Sequence, residues 1–184
     1  GAQLKAPAII GSMQGRFESE VDKDQALDYL RSALNELGEH AKAAGLPLIY
    51  EPLNRYESNL LNRAEDVVPF LDTLETDNIV ILADLFHMNI EEKNQAAAIR
   101  KAGKLLGHFH ACGTDRGTPG NDELNWAPIV KALKGIRYKG DVVIESFTTD
   151  VKVIARAAAI WRRIEPTRDE IAVKGLKFLK KAFK

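Results

Sequence analysis

Two patterns of apolar positions alternate along this chain. Short unbroken apolar runs are followed by longer stretches in which apolar residues recur every three or four positions. The first run, Ala6–Ser12 (APAIIGS), predicts a buried strand entering the glycine-containing loop MQGRF. Ala26, Leu27, Leu30, Ala33, Leu34, Leu37, Ala41 and Ala44 then predict a helix over Lys23–Ala44, with Asp22 placed to cap it and Gly45 to stop it. Leu46–Glu51 predicts the second strand, closed by Pro52 and the polar loop LNRYESN. Asn62 is placed to cap a helix reaching about Leu74, with Glu65 at the capping-box position. The run Ile79–Asp84 predicts a third strand, with a helix over roughly Asn94–Gly103 after it. Leu105–Ala111 predicts the fourth strand, CGTDRGTPGNDELN a long loop, and Trp126–Leu133 a helix. Asp141–Phe147 follows as the fifth strand and Val151–Trp161 as a helix; beyond Pro166, Arg168–Ala182 closes the chain as a basic amphipathic helix.

Strands alternating with helices five times over imply an α/β fold with a parallel sheet covered by helices. Four of the runs end on a residue that can bind a divalent metal: LPLIYEP on Glu51, IVILAD on Asp84, LLGHFHA on His110 and DVVIESF on Glu145. Functional residues at four consecutive strand ends favour a TIM (β/α)8 barrel, in which every strand's C-terminal end faces one pocket. An open doubly wound sheet would gather ligands at one switch point instead. A whole barrel takes about 250 residues, so the chain reads as one domain over 1–184, the C-terminal portion of a barrel, with about the last five βα units present and roughly three absent. The missing initiator Met fits a processed or truncated product. Such a fragment would leave sheet edges open and complete its core by self-association or with the absent part.

The composition narrows the partners. The 184 residues carry 26 basic and 26 acidic side chains and are 45% hydrophobic, which is globular composition with zero formal net charge. No basic cluster with interleaved aromatics points to nucleic acid, and no apolar run approaches the roughly 20 residues of a membrane helix. The start GAQLKAPAII has no signal-peptide architecture. One cysteine, Cys112, excludes an internal disulfide and suits a reducing, cytoplasmic setting.

Glu51, Asp84, His110 and Glu145 form an oxygen/nitrogen donor set suited to Mn²⁺, Mg²⁺ or Co²⁺ over a thiolate-preferring ion. Each carboxylate taken singly could instead cap a helix or pair with a lysine; it is the repetition over four strands that favours a shared metal. Glu51 and Glu145 lie on strands separated by two others, so a closed barrel sets them across the pocket from each other. A metal that polarises a carbonyl acidifies the adjacent C–H, and two such carboxylates can remove and return the proton, giving epimerisation, or isomerisation through an enediolate. His108 and His110 share one strand face, one expected as ligand and the other packed beneath it. His87 reads equally as structural or functional, the loop arginine Arg116 reads first as a solvated side chain, and Cys112, Trp126 and Trp161 read as packing residues. The loop GTDRGTPG lacks the Lys-Ser/Thr of a phosphate-binding loop.

Five stretches together carry a resemblance: IIGSMQGR, YEPLNRYESNLLNRAED, ILADLFHMNIEE, GHFHACGTDRGTPG and VVIESF. The chain resembles the xylose-isomerase-like sugar epimerase/isomerase superfamily, and most closely its ketose 3-epimerase branch, which acts on D-tagatose and D-allulose. The resemblance implies a (β/α)8 barrel binding Mn²⁺ or Co²⁺ through Glu51, Asp84, His110 and Glu145, with Glu51 and Glu145 as the catalytic acid/base pair. It further implies that Glu57, His87 and Arg116 contact the sugar, His87 and Arg116 holding oxygens near C1–C3 of an open-chain ketose. Hydroxypyruvate isomerases tend to carry Gln where this chain has His110, which favours an epimerase. Gly113–Thr114 departs from a Glu-Asn pair common in the family. An inosose-type dehydratase or related sugar isomerase is the nearest alternative. An endonuclease-IV-like nuclease would need more histidine ligands and a basic surface.

Overall fold

The computed structural model describes residues 1–184. Its five strands are β1 (Ala8–Ile10), β2 (Leu48–Tyr50), β3 (Ile79–Asp84), β4 (Leu106–Ala111) and β5 (Val142–Ile144). All neighbours pair in parallel, in the order β1-β2-β3-β4-β5. Sequential order in a parallel sheet is what successive βα units produce as they wind into a barrel, and five units make a partial barrel. Every residue of β2 is buried and β3 nearly so, as expected of strands covered on both faces. The two edges are exposed, with Ile9 of β1 and Val143 of β5 both open to solvent.

The helices are α1 (Lys23–Ala43), α2 (Ala64–Leu71), α3 (Leu85–Glu91), α4 (Gln95–Ala102), α5 (Trp126–Gly135), α6 (Lys152–Ala157) and α7 (Arg168–Ala182). Asp22 caps α1 by accepting from the Gln25 N–H, and Ala26, Leu30 and Leu34 are buried against the sheet. Asn94 and Thr167 cap α4 and α7 in the same way. One continuous core runs from the inner face of α1 through β2, β3 and β4 to α5 and α7.

Five expectations need correction. The N-cap of α2 is Arg63 and makes no side-chain cap bond, so neither Asn62 nor Glu65 forms the expected box. The Ala64 N–H is taken instead by Glu92 Oε1, 28 residues on, at 2.8 Å, while Asn62 Nδ2 donates to the Leu53 and Ser58 carbonyls. The helix stops at Leu71, short of Leu74. A helix unforeseen in the sequence, α3, starts directly at the end of β3. The expected helix over Val151–Trp161 holds only for Lys152–Ala157, because Ala159 takes a left-handed φ of 56° and ends it; Trp161 is consequently exposed rather than packed, whereas Trp126 is buried against Phe178.

One irregularity sets the site. The β3–β4 register passes from Ile81↔Leu106 to Leu82↔His108, skipping Gly107. A Cβ on Gly107 would lie 2.4 Å from Val80 Cγ2, so only glycine fits where the strands press together. The slip brings Asp84 level with His110.

Candidate active site

The polar strand ends converge. Glu51 follows β2 directly, its N–H continuing the ladder to the Ile10 carbonyl at 2.9 Å. Its side chain passes close over Gly11, where an added Cβ would stand 2.8 Å from Oε2. Asp84 uses its two oxygens differently. Oδ1 caps α3 by accepting from the N–H groups of Phe86 (2.8 Å) and His87 (3.1 Å), while Oδ2 lies 3.2 Å from His110 Nδ1. Glu51, Asp84 and His110 are all buried, and each offers a ligand atom within 4.8 Å of the others. Glu145, the fourth residue expected here, stands outside that trio on the more open side. Its Oε1 lies 3.5 Å from His110 Nδ1.

Three carboxylates in so small a volume work against one another. Burial, then the charges of Asp84 and Glu145, push Glu51 up to about 8. Burial and Asp84 likewise push Glu145 up to about 7. Asp84 is held down: burial opposes its ionisation, but the His110 hydrogen bond and both neighbouring histidines outweigh it. His110 is raised, because its bond to Asp84 and the charges of Glu145 and Glu51 overcome burial. A hard or borderline divalent cation would relieve this crowding, and oxygen donors with one imidazole are the set such an ion takes. The donor chemistry therefore fits a metal held by Glu51, Asp84 and His110, with Glu145 within reach.

Above the trio opens a cavity of 250 Å³ lined by Glu51, Glu57, His87, Arg116, Glu145 and Phe147, among others. A larger cleft of 810 Å³ on the outer face, lined by residues such as Asp28, Arg31 and Glu75, has no hydrophobic residue in its lining and shares no residue with this site. Arg116 is 5% exposed, unlike an ordinary loop arginine. Its guanidinium carbon sits 4.2 Å from the Phe86 ring centre and 5.1 Å from that of Phe147. Nη1 donates to the Ala158 carbonyl at 3.2 Å, and Nη2 approaches Glu57 Oε1 at 3.4 Å and His87 Nε2 at 3.3 Å. Its buried Nε has no partner. His108 lies edge-on to His110, ring centres 5.1 Å apart. Cys112 is buried with its thiol pushed up by burial, so it stays a packing residue.

Three residues of the site escaped sequence reasoning: Asn54, Glu91 and Glu92. Glu92 caps α2. Glu91 grips the loop after β2, accepting from the Arg55 backbone N–H at 2.7 Å and from its guanidinium through both oxygens at 2.9 and 3.0 Å. The pattern NIEE after His87 was visible, but nothing local shows that both carboxylates reach back to the preceding loop. Burial opposes ionisation of Glu91, yet the Arg55 hydrogen bonds more than offset it and leave its carboxyl below the ordinary 4.5. A lowered carboxyl stabilises the fold above its ordinary value and loses that contribution as pH falls through the lower folded value. Glu91→Gln is thus expected to cost about 1–3 kcal/mol at neutral pH and to speed amide exchange over residues 54–58. The gap to the parent should narrow below about pH 4.5; denaturant melts across pH with hydrogen exchange check both.

Residues 1–182 match the family model described as xylose isomerase-like TIM barrel. The chain belongs to the xylose isomerase-like TIM barrel family. It is 38% identical over 154 residues to a probable ketose 3-epimerase of Synechocystis sp., covering 84% of this chain and 54% of that protein. It is 39% identical over 155 residues to a D-psicose 3-epimerase of Enterocloster bolteae, covering 83% and 52%. A crystal structure of D-psicose 3-epimerase in the presence of D-fructose matches with a TM-score of 0.89 at 32% identity, covering 99% of this chain and 66% of that one. The chain spans about half the length of the curated relatives it matches. No helix of this xylose isomerase-like chain is long and apolar enough to cross a membrane.

Proposed function

We propose that this chain is the C-terminal portion of a metal-dependent ketose 3-epimerase, working by proton removal and return at the carbon beside the carbonyl. The observation that carries the reading is the buried trio Glu51–Asp84–His110 with Glu145 beside it, under a polar cavity. Relatives named as ketose 3-epimerases, and a neighbour crystallised in the presence of D-fructose, support a free ketose as substrate.

Glu51, Asp84, His110 and Glu145 would hold the ion, Mn²⁺ first, with Co²⁺ or Mg²⁺ as alternatives. When bound it would supply polarisation of the ketose carbonyl, lowering the pKa of the neighbouring C–H. Glu145 and Glu51 are the acid/base pair: one takes the C3 proton, and the other delivers a proton to the opposite face of the enediolate. Both reach within 4.0 Å of His110 Nδ1 from strands separated by two others, which supports that assignment. Arg116 and His87 hold substrate oxygens, and Glu57 accepts from a hydroxyl.

The exposed edges β1 and β5 support a second element of the proposal: the pocket is completed by association, with further strands of a longer polypeptide or with another copy of this chain. The single free cysteine, Cys112, supports a reducing, cytoplasmic setting. Incubation of D-fructose, D-tagatose and L-ribulose with the chain and Mn²⁺, followed by product analysis, tests the reading. C3 epimers are expected. Loss of water would indicate an inosose-type dehydratase, an aldose product a related isomerase, and no turnover of any ketose an inactive fragment.

A further inference from the structure

His87 meets the loop after β2 through a single ring nitrogen. The Asn54 backbone N–H lies 3.1 Å from His87 Nδ1, and Asn54 Nδ2 lies 2.8 Å from the same atom. A backbone amide can only donate, so Nδ1 is the acceptor and the ring proton resides on Nε2. The orientation of the Asn54 amide is fixed independently. Its Oδ1 accepts from the Tyr56 N–H at 2.9 Å, which leaves Nδ2 facing His87 Nδ1 and Glu57 Oε1, the latter at 3.1 Å. Asn54 is 1% exposed and His87 3%, so water does not compete for these contacts.

We propose that Asn54 is a positioning residue that holds His87 as the Nε2–H tautomer and aims that proton into the cavity. Its consequence for turnover rests on the epimerase reading; the tautomer itself does not. Nε2 lies 3.9 Å from Glu51 Oε1 and 3.3 Å from Arg116 Nη2. With its proton there, imidazole and guanidinium present two donors side by side, 3.3 Å apart. That pair suits one oxygen carrying partial negative charge, such as a ketose carbonyl. The other tautomer would turn a lone pair toward the same oxygen and repel it.

Long-range ¹H–¹⁵N NMR of the full chain with ¹⁵N-labelled histidine tests this, with His87→Gln assigning the resonances. In the parent, His87 is expected to show Nδ1 in the unprotonated range and Nε2 in the protonated range. Asn54→Asp keeps the Tyr56 contact and the backbone N–H but sets a carboxylate oxygen against Nδ1 in place of the side-chain donor. A charge-assisted N–H···O⁻ bond is about twice as strong as the neutral backbone contact it displaces, so Nδ1 should shift into the protonated range. In turnover it should lower kcat/KM by roughly 10- to 100-fold, the range for residues that orient a functional histidine. A parent His87 with its proton on Nδ1 overturns the proposal, as does an Asn54→Asp variant with unchanged His87 shifts. Should that variant fail to fold, the parent spectrum decides alone. A parent with the expected shifts but no epimerisation of any ketose removes the epimerase reading and leaves the tautomer assignment standing.

Discussion

Glu145→Gln is expected to leave the fold intact and lower ketose epimerisation by on the order of 10²- to 10⁴-fold, the usual contribution of a positioned acid or base. The residue follows the edge strand β5, its side chain is 28% exposed, and its backbone N–H reaches the Ala111 carbonyl at 3.3 Å. None of this depends on a charged side chain. Gln keeps the volume and one oxygen near His110 but cannot take a proton from carbon. Circular dichroism and a thermal melt should match the parent while kcat collapses. Epimerisation surviving the change for every ketose tried would remove Glu145 from the chemistry.

Asp84→Asn should separate capping from metal binding. Asn can still accept from the Phe86 and His87 N–H groups, so α3 keeps its cap. The change also removes one of three crowded carboxylates, so stability without metal should stay within about 1 kcal/mol of the parent, against the ~1 kcal/mol that losing an N-cap alone costs. Toward a cation the effect is large. Asn brings no charge and turns an amide toward His110, so Mn²⁺ affinity should fall by at least about 100-fold, the upper end for disturbing even an outer-shell partner. Saturating Mn²⁺ should raise the parent's melting temperature, since a ligand at 100 times its Kd stabilises by about 2.7 kcal/mol; the variant should melt alike in Mn²⁺ and in EDTA. A parent indifferent to Mn²⁺ would deny the trio its metal.

The site was legible where a strand delivered it. Glu51, Asp84 and His110 end apolar runs, and a polar residue that breaks the apolar run of a buried parallel strand is visible in the sequence. What the sequence hid is long-range. The cap of α2 comes from Glu92, beyond a strand and a helix, so the nearby Asn62 and Glu65 misled. Helix α3 was missed because Asp84 ends β3 and caps the next helix at once, leaving no linker to mark the boundary. Arg116 looked like a solvated loop residue. Its burial depends on Phe86 and Phe147, rings contributed by two other segments of the chain. The slip at Gly107 that aligns Asp84 with His110 arises from the packing of Val80, which no pattern within β4 reveals.

In the proposed reaction one of Glu51 and Glu145 takes the C3 proton and the other delivers a solvent-exchangeable proton to the opposite face. The most direct measurement is the same ketose incubation with Mn²⁺ carried out in D₂O, with the product read by mass spectrometry and NMR. A two-carboxylate exchange predicts one deuterium, at C3 of the epimerised product, and none elsewhere. An epimer formed without deuterium at C3 would contradict it.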